Sequence, residues 1–405
     1  MHSSDLQAIK VMECVRPVWT DLVSARDVVA IGEQMILHAG PPLLSSRIPK
    51  AVLNSATAAI LFEGWTNTPE QAHEMLLSGE VTLKPAQELG VVVPLASVLS
   101  PSMLVLVVTD RNNPQIQSFS PINGGMTYAL RLGLPDKNVL QHLHWLNGSF
   151  GDSLKKAIPE EGIELIPLAD HALSQGDDCH GRTVAATGQL LACLEARLSR
   201  VENGDKSIEY IEHSPPFFLN LWMAASKLIM LAAADTKNSS VITSIGGNGL
   251  EFGIQIAGLP GYWVTTPAKT PTAIYEPGFS KKDGLGAIGD SAVIEGLGLG
   301  AMAIRFSPIQ REYFCSVLPP EAFDLPRNLL SKAHSSFEKT NALFGTTVRQ
   351  IIQMNTSMII ALGVIDIEGK KGRVGGGIYR PPIDIFYDIY QTLNKDIEYK
   401  TYKLK

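Results

Sequence analysis

From Ile48 to Trp65 the apolar positions Val52, Ala56, Ala59, Ile60 and Phe62 recur at helical spacing and predict an amphipathic helix. A second helix opens at Thr68: the hydroxyl suits a cap, Pro69 the first helical position, Gln71 a capping box, and Gly79 a stop. Leu89 to Thr109 carries no charge and has the length to span a bilayer. Pro94 and Pro101 would interrupt a helix there, and the β-branched runs on either side predict two buried strands instead. Between Met126 and Arg200 the pattern becomes mainly helical, bounded by a Gly124-Gly125 turn and the polar run Glu202 to Lys206. Past Ser214-Pro215-Pro216 a long apolar helix, FFLNLWMAASKLIMLAAA, leads into the strand VITSI, and the alternation of Phe252, Ile254 and Ile256 predicts a second strand. The glycines of GGNGLEFG between them therefore read as a tight hairpin, not as the strand, loop and helix of a dinucleotide site. A plain turn and a ligand loop with exposed backbone N–H groups both remain open for this segment.

These elements predict an α+β (mixed α/β) multi-domain chain with a small helical insert domain. The expected divisions are an N-terminal α/β domain at 1–125, a helical module at 126–203, a glycine-rich α+β domain at 204–385 and a polar tail at 386–405.

Composition narrows the function. With 405 residues, 45% hydrophobic and only 18% charged, the chain is too apolar for disorder and has little polar material to cover its outside. A buried subunit interface is expected, so a homo-oligomer or a partner complex. Lys+Arg at 34 against Asp+Glu at 40 leave no cationic field for phosphates along a nucleic acid, which excludes that partner class. Cys14, Cys179, Cys193 and Cys315 lie scattered without CxxC spacing, which fits reduced thiols in cytoplasm and neither a disulfide framework nor a zinc knuckle. The first residues lack a basic segment followed by an apolar core, so no secretory signal is expected, nor a membrane association.

Several clusters carry potential chemistry. GDDCHGRT, Gly176 to Thr183, sets two carboxylates, a thiol, an imidazole and a guanidinium at a helix start. It reads either as a cap, with Asp177 or Asp178 held by Arg182, or as an anion or acyl-group site built on His180 and Arg182. Asn220 and Lys227 are seven apart and share one face of an apolar helix. Lys227 must then reach the surface or find a buried partner. Glu63, Asp290, Glu295 and His38 each suit caps or turns, and Ser291 lacks the GxSxG context of a hydrolase. No three or four ligands stand at zinc-site spacing, so neither a transition metal nor another cofactor is expected.

Together the segments HAGPP, LFEGW, LSGEV, LSPSM, NGGMTYALRLG, GDDCHGRTVAAT, FFLNLWMAASK, GNGLEFGI, YEPGF, GDSAVIEGLGLGAMA, MNT and GGGIYRPP resemble the bacterial YlbE-type family, in the same order from Leu6 to Pro382. The resemblance implies an α+β fold with a helical insert and a place beside an FdrA-like, acyl-CoA-synthetase-type partner in purine degradation. It also implies a subunit of oxamate carbamoyltransferase, which interconverts oxalurate plus phosphate with oxamate plus carbamoyl phosphate. Two positions depart from the family pattern: Gln87 and Glu88 replace a histidine-rich stretch, and Gly247 replaces an arginine.

Carbamoyl transfer needs an oxyanion clamp, donors aimed at the carbonyl oxygen and a dry pocket that orients the attacking nitrogen. For that reaction Arg131, Arg182 and Lys227 are the expected clamp, and Asn220, Asn248 and the loop around Gly249 and Glu251 are the expected substrate contacts. His180 or Asp178 moves the proton, with Lys227 counted among the catalytic groups. These groups are expected to converge in one pocket for a small carbamoyl or phosphate-type anion. The competing expectation is a non-catalytic scaffold that docks the FdrA-like partner.

Overall fold

The computed structural model describes residues 2–44, 46–123 and 127–403, with side chains as far as residue 395. The expected Gly124-Gly125 turn lies outside the described residues. The chain has an α+β fold.

Its central element is the helix Phe217–Leu231, of which all residues but Leu219 and Leu231 are buried. A helix apolar on every side must be enclosed on every side. One flank is covered by an antiparallel sheet in the order Asn113–Pro121, Leu104–Asp110, Pro17–Ser24, Ile163–Glu164. Another is covered by the strand Ile242–Asn248 and the short helix Val293–Leu297. That strand belongs to a second antiparallel sheet, ordered Val264–Pro267, Glu251–Ile256, Ile242–Asn248, Ile288–Gly289. A third sheet, ordered Thr272–Tyr275, Arg373–Tyr379, Ile360–Ile365, stacks beside it. A small mixed sheet of Thr82–Pro85, Met35–His38 and Val98–Leu99 carries the helix Lys50–Glu63.

Local readings are met closely. Thr68 accepts the N–H of Gln71, and Gly79 ends that helix at φ 80°. The reciprocal half of the capping box is absent because the Gln71 side chain turns to Thr66. The uncharged stretch from Leu89 contributes Val98–Leu99 and Leu104–Asp110, both almost wholly buried. Among the described residues no helix is long and apolar enough to cross a membrane. The glycine segment is a hairpin, Ile242–Asn248 pairing antiparallel with Glu251–Ile256 around Gly249 at φ +90°.

Two expectations change. The helical module has no core to itself: its Ala169, Leu190 and Leu194 lie in the same apolar cluster as Trp19 and Ile245. The stretch read as a polar tail is the helix Asp384–Lys403, anchored by buried Ile385, Phe386, Ile389 and Leu393. Those four positions follow one helical stripe, which the many Lys and Tyr residues around them mask.

Candidate functional site

The segment GDSAVIEG forms a short beam, a 3-10 turn Asp290–Ala292 running into Val293–Leu297. A buried polar network hangs from each end.

At the first end Asp290 is fully buried. Its Oδ1 accepts the Gly40 N–H at 2.9 Å and Gln87 Nε2 at 2.6 Å, and its Oδ2 accepts the Val93 N–H at 3.0 Å. Gln87 also donates to the Ile245 carbonyl at 3.0 Å, and its Oε1 accepts from Lys227 Nζ at 3.4 Å. The Lys227 ammonium further donates to the Thr243 carbonyl at 2.9 Å and Ser244 Oγ at 2.7 Å. Burial disfavours charge on both groups. It pushes the Lys227 pKa down to about 7, with Asp290 opposing, and raises that of Asp290 to about 6 against its N–H donors and Lys227. Glycine makes the close approach possible: a Cβ on Gly40 would lie 2.4 Å from the Gly247 carbonyl carbon, and one on Gly246 2.9 Å from Asp290 Oδ1.

At the second end Glu295, also fully buried, faces His180 Nδ1 with both oxygens, at 2.8 and 2.9 Å. The same carboxylate accepts the N–H groups of Ala301 and Ala361 at 2.9 and 3.2 Å. Burial works against a charge on His180, but Glu295 and then Asp178 more than offset it, so the imidazole pKa lies above its ordinary value. The loop before the helix Val184–Leu198 is pinned by Asp178, whose Oδ1 accepts the N–H groups of His180 and Arg182. Asp178 Oδ2 is buried without a hydrogen-bond partner among the described residues, and burial raises the pKa of this carboxyl. Cys179 adopts φ 64° to make this turn. Gly300 at φ +60° completes the enclosure, since a Cβ there would sit 2.2 Å from Glu295 Oε1.

A family model described as oxamate carbamoyltransferase subunit AllG matches residues 81–291, a span that holds Gln87, His180, Lys227 and Asp290. This chain belongs to the AllG family. It is 29% identical to the oxamate carbamoyltransferase subunit AllG of Escherichia coli K12 over 399 residues, covering 93% of this chain and 94% of that protein. It is 30% identical to the protein YahG of the same organism over 398 residues, covering 95% of this chain and 84% of YahG. The crystal structure of a conserved protein of unknown function from Enterococcus faecalis V583 superposes with a TM-score of 0.91 at 26% identity, covering 97% of each chain.

Within this AllG-family chain the expected site residues are distributed unevenly. His180, Asp178 and Arg182 share the second network, where Arg182 Nε lies 3.3 Å from Asp177 Oδ1 and its side chain remains 27% exposed. Asn248 staples the hairpin: its Oδ1 accepts the N–H groups of Leu250 and Glu251, and its Nδ2 donates to the Pro41 carbonyl. Asn220 donates to the backbone carbonyls of Asn123 and Phe217. Arg131 lies in the 3-10 turn Leu130–Leu132 that Gly133 ends, within electrostatic reach of Tyr210 and Arg373. Lys227 and Asn248, expected as clamp and substrate contact, both donate to internal acceptors, since an unpaired buried donor would cost too much. Asn248 and Glu251 instead border a shallow depression of about 160 Å³ together with Arg47 and Leu250.

Gln87, Asp290 and Glu295 are the connecting groups that single-residue reading did not combine. The signal for Asp290 and Glu295 was the acid-bearing GDSAVIEG within an otherwise apolar, glycine-dense run. Among the described residues no three His, Cys, Asp or Glu side chains gather as metal ligands.

Proposed function

We propose that this chain is a subunit of a carbamoyl-transferring enzyme of the oxamate carbamoyltransferase type, with His180 and Glu295 handling the proton of the reaction. The near full-length relation to the subunit AllG carries this reading. In one direction a phosphate oxygen attacks the carbamoyl carbon of oxalurate, the bond from that carbon to the oxamate nitrogen breaks, and the nitrogen takes up a proton. In reverse the oxamate nitrogen attacks carbamoyl phosphate, loses a proton, and phosphate leaves. His180, held at Nδ1 by Glu295 and with a raised pKa, suits that proton exchange through Nε2. Arg182 and Arg131 are the cations for the oxyanions, and Lys227 holds Gln87, Asp290 and the strand Ile242–Asn248 in place. The partner implied by a subunit is of FdrA-like type.

A second reading, a docking subunit without chemistry of its own, is supported by Leu44, 69% exposed beside the depression at Asn248.

Thermal unfolding with carbamoyl phosphate, phosphate or oxamate decides between them. A ligand at 100 times its dissociation constant adds about 2.7 kcal/mol to the folded state. Stabilisation of the full chain by these anions supports the catalytic reading. No shift with any of them, alone or with the partner subunit present, sinks it and favours docking.

A further inference from the structure

The strand Arg373–Tyr379 is the middle strand of its sheet, yet it carries Gly375, Gly376 and Gly377 in succession. Glycine weakens a strand unless something must approach its backbone closely. For Gly375 and Gly377 the reason is internal: a Cβ would lie 2.7 Å from the Ile274 carbonyl oxygen and 2.5 Å from that of Thr272. Gly376 differs. The atoms nearest its Cβ would be side-chain ones, Arg373 Nη2 at 2.6 Å and the Tyr313 ring and hydroxyl, the latter at 2.9 Å. Its cross-strand partner Gly363 is covered in the same way, by Arg373 Nε at 3.5 Å and by the tip of Leu95. The pair forms a bare floor under a guanidinium.

That guanidinium has little to hold it. Its Nη1 is 3.9 Å from Glu276 Oε1, and both side chains are about half exposed. The Tyr313 hydroxyl has no hydrogen-bond partner among the described residues. The segment of Arg131 adjoins this floor: the Arg131 carbonyl accepts the Ala96 N–H at 3.2 Å, and Gly372, next to Arg373, lies against Leu132. Leu95 itself sits at φ 47°. Burial first, and Arg373 also, push the Arg131 pKa down to about 10, while Tyr210 opposes the shift. A guanidinium with one long ion-pair contact, a phenol beside it and a flat glycine floor below match the two-pronged recognition of a carboxylate, and Arg131 lies within electrostatic reach of that guanidinium.

We propose that Arg373 and Tyr313, over the floor of Gly363 and Gly376 and with Arg131 alongside, bind the carboxylate of a small planar acid. The assignment rests on the carbamoyl-transfer reading, in which that acid is the oxamate-type acceptor, and names where it is held. Glu276 is the group the ligand displaces from Arg373.

Oxamate and inorganic phosphate are titrated calorimetrically into the full chain and into Arg373→Gln, Arg373→Lys and Tyr313→Phe. Unfolding midpoints without ligand control for folding. Oxamate affinity is expected to fall about 10- to 100-fold in Arg373→Gln, and lysine should restore little because it lacks the planar fork. Tyr313→Phe should lose several-fold, and phosphate binding should be unchanged in all three. Oxamate binding that is absent from the parent, or equal in parent and Arg373→Gln, overturns the proposal. Equal loss of phosphate and oxamate overturns the carboxylate assignment in favour of a phosphate subsite. The reading beneath it is separated by a transfer assay with the partner subunit. No transfer with Arg373-dependent oxamate binding removes the function and keeps the subsite, whereas transfer with an unchanged KM for oxamate in Arg373→Gln does the reverse.

Discussion

His180 Nδ1 faces both carboxylate oxygens of Glu295, at 2.8 and 2.9 Å, in a site where Glu295 is fully buried and the imidazole only 7% exposed. Because the folded pKa of His180 lies above 6.5, the pair stabilises in full below about pH 6.5 and loses that contribution as pH rises through the raised value. Breaking one side of a buried pair costs about 3–5 kcal/mol. Glu295→Gln is therefore expected to destabilise strongly at pH 6 and less at pH 9, read by urea unfolding. A difference from the parent that does not change with pH would contradict the pairing.

The Lys227 amino group donates to three internal acceptors. Lys227→Ala should lower stability by about 3 kcal/mol or more, since it strands Ser244, Gln87 and Asp290 in a dry interior. Its pKa of about 7 lies below the ordinary 10.5, so the unfolded chain binds more protons between those values, and the parent gains stability as pH rises through that range. Lys227→Met should flatten this gain between pH 7.5 and 9.5 in chemical unfolding. An unaltered slope with a full-strength fold would mean the ammonium reaches solvent.

Gly300 and Gly278 both have positive φ, but only Gly300 is enclosed. Gly278→Ala, with open space around it, should cost about 1 kcal/mol from backbone strain alone. Gly300→Ala must also displace Glu295 or His180, for a total of about 2–4 kcal/mol, and should lower ligand response more than stability alone explains. Equal thermal shifts for the two variants would remove the steric argument.

Large apolar side chains remain exposed at Leu44, Leu77, Ile309 and Tyr262 in a chain with 18% charged residues. Light scattering at micromolar concentration should find a dimer or larger assembly, or affinity capture should recover a partner subunit. A clean monomer that recovers nothing would count against a covered surface.

Elements whose causes are local were legible along the chain. Thr68, Pro69 and Gly79 bound a helix through caps and backbone preference, and the alternation after VITSI forces a strand and hence a hairpin at Gly249. The apolar run around Lys227 predicted a long helix, and the ordered motifs from HAGPP to GGGIYRPP carried the family resemblance. Only the tertiary structure decided what the polar side chains do, because a donor's capacity depends on acceptors far along the chain. Lys227 meets Gln87 across 140 positions, His180 meets Glu295 across 115, and Asp290 reaches Gly40 across 250. No periodicity reports such pairs, so the sequence left Lys227 to reach the surface or find an unnamed partner where packing supplies Gln87, Thr243 and Ser244, and Glu295 read as a cap where packing makes it the partner of His180.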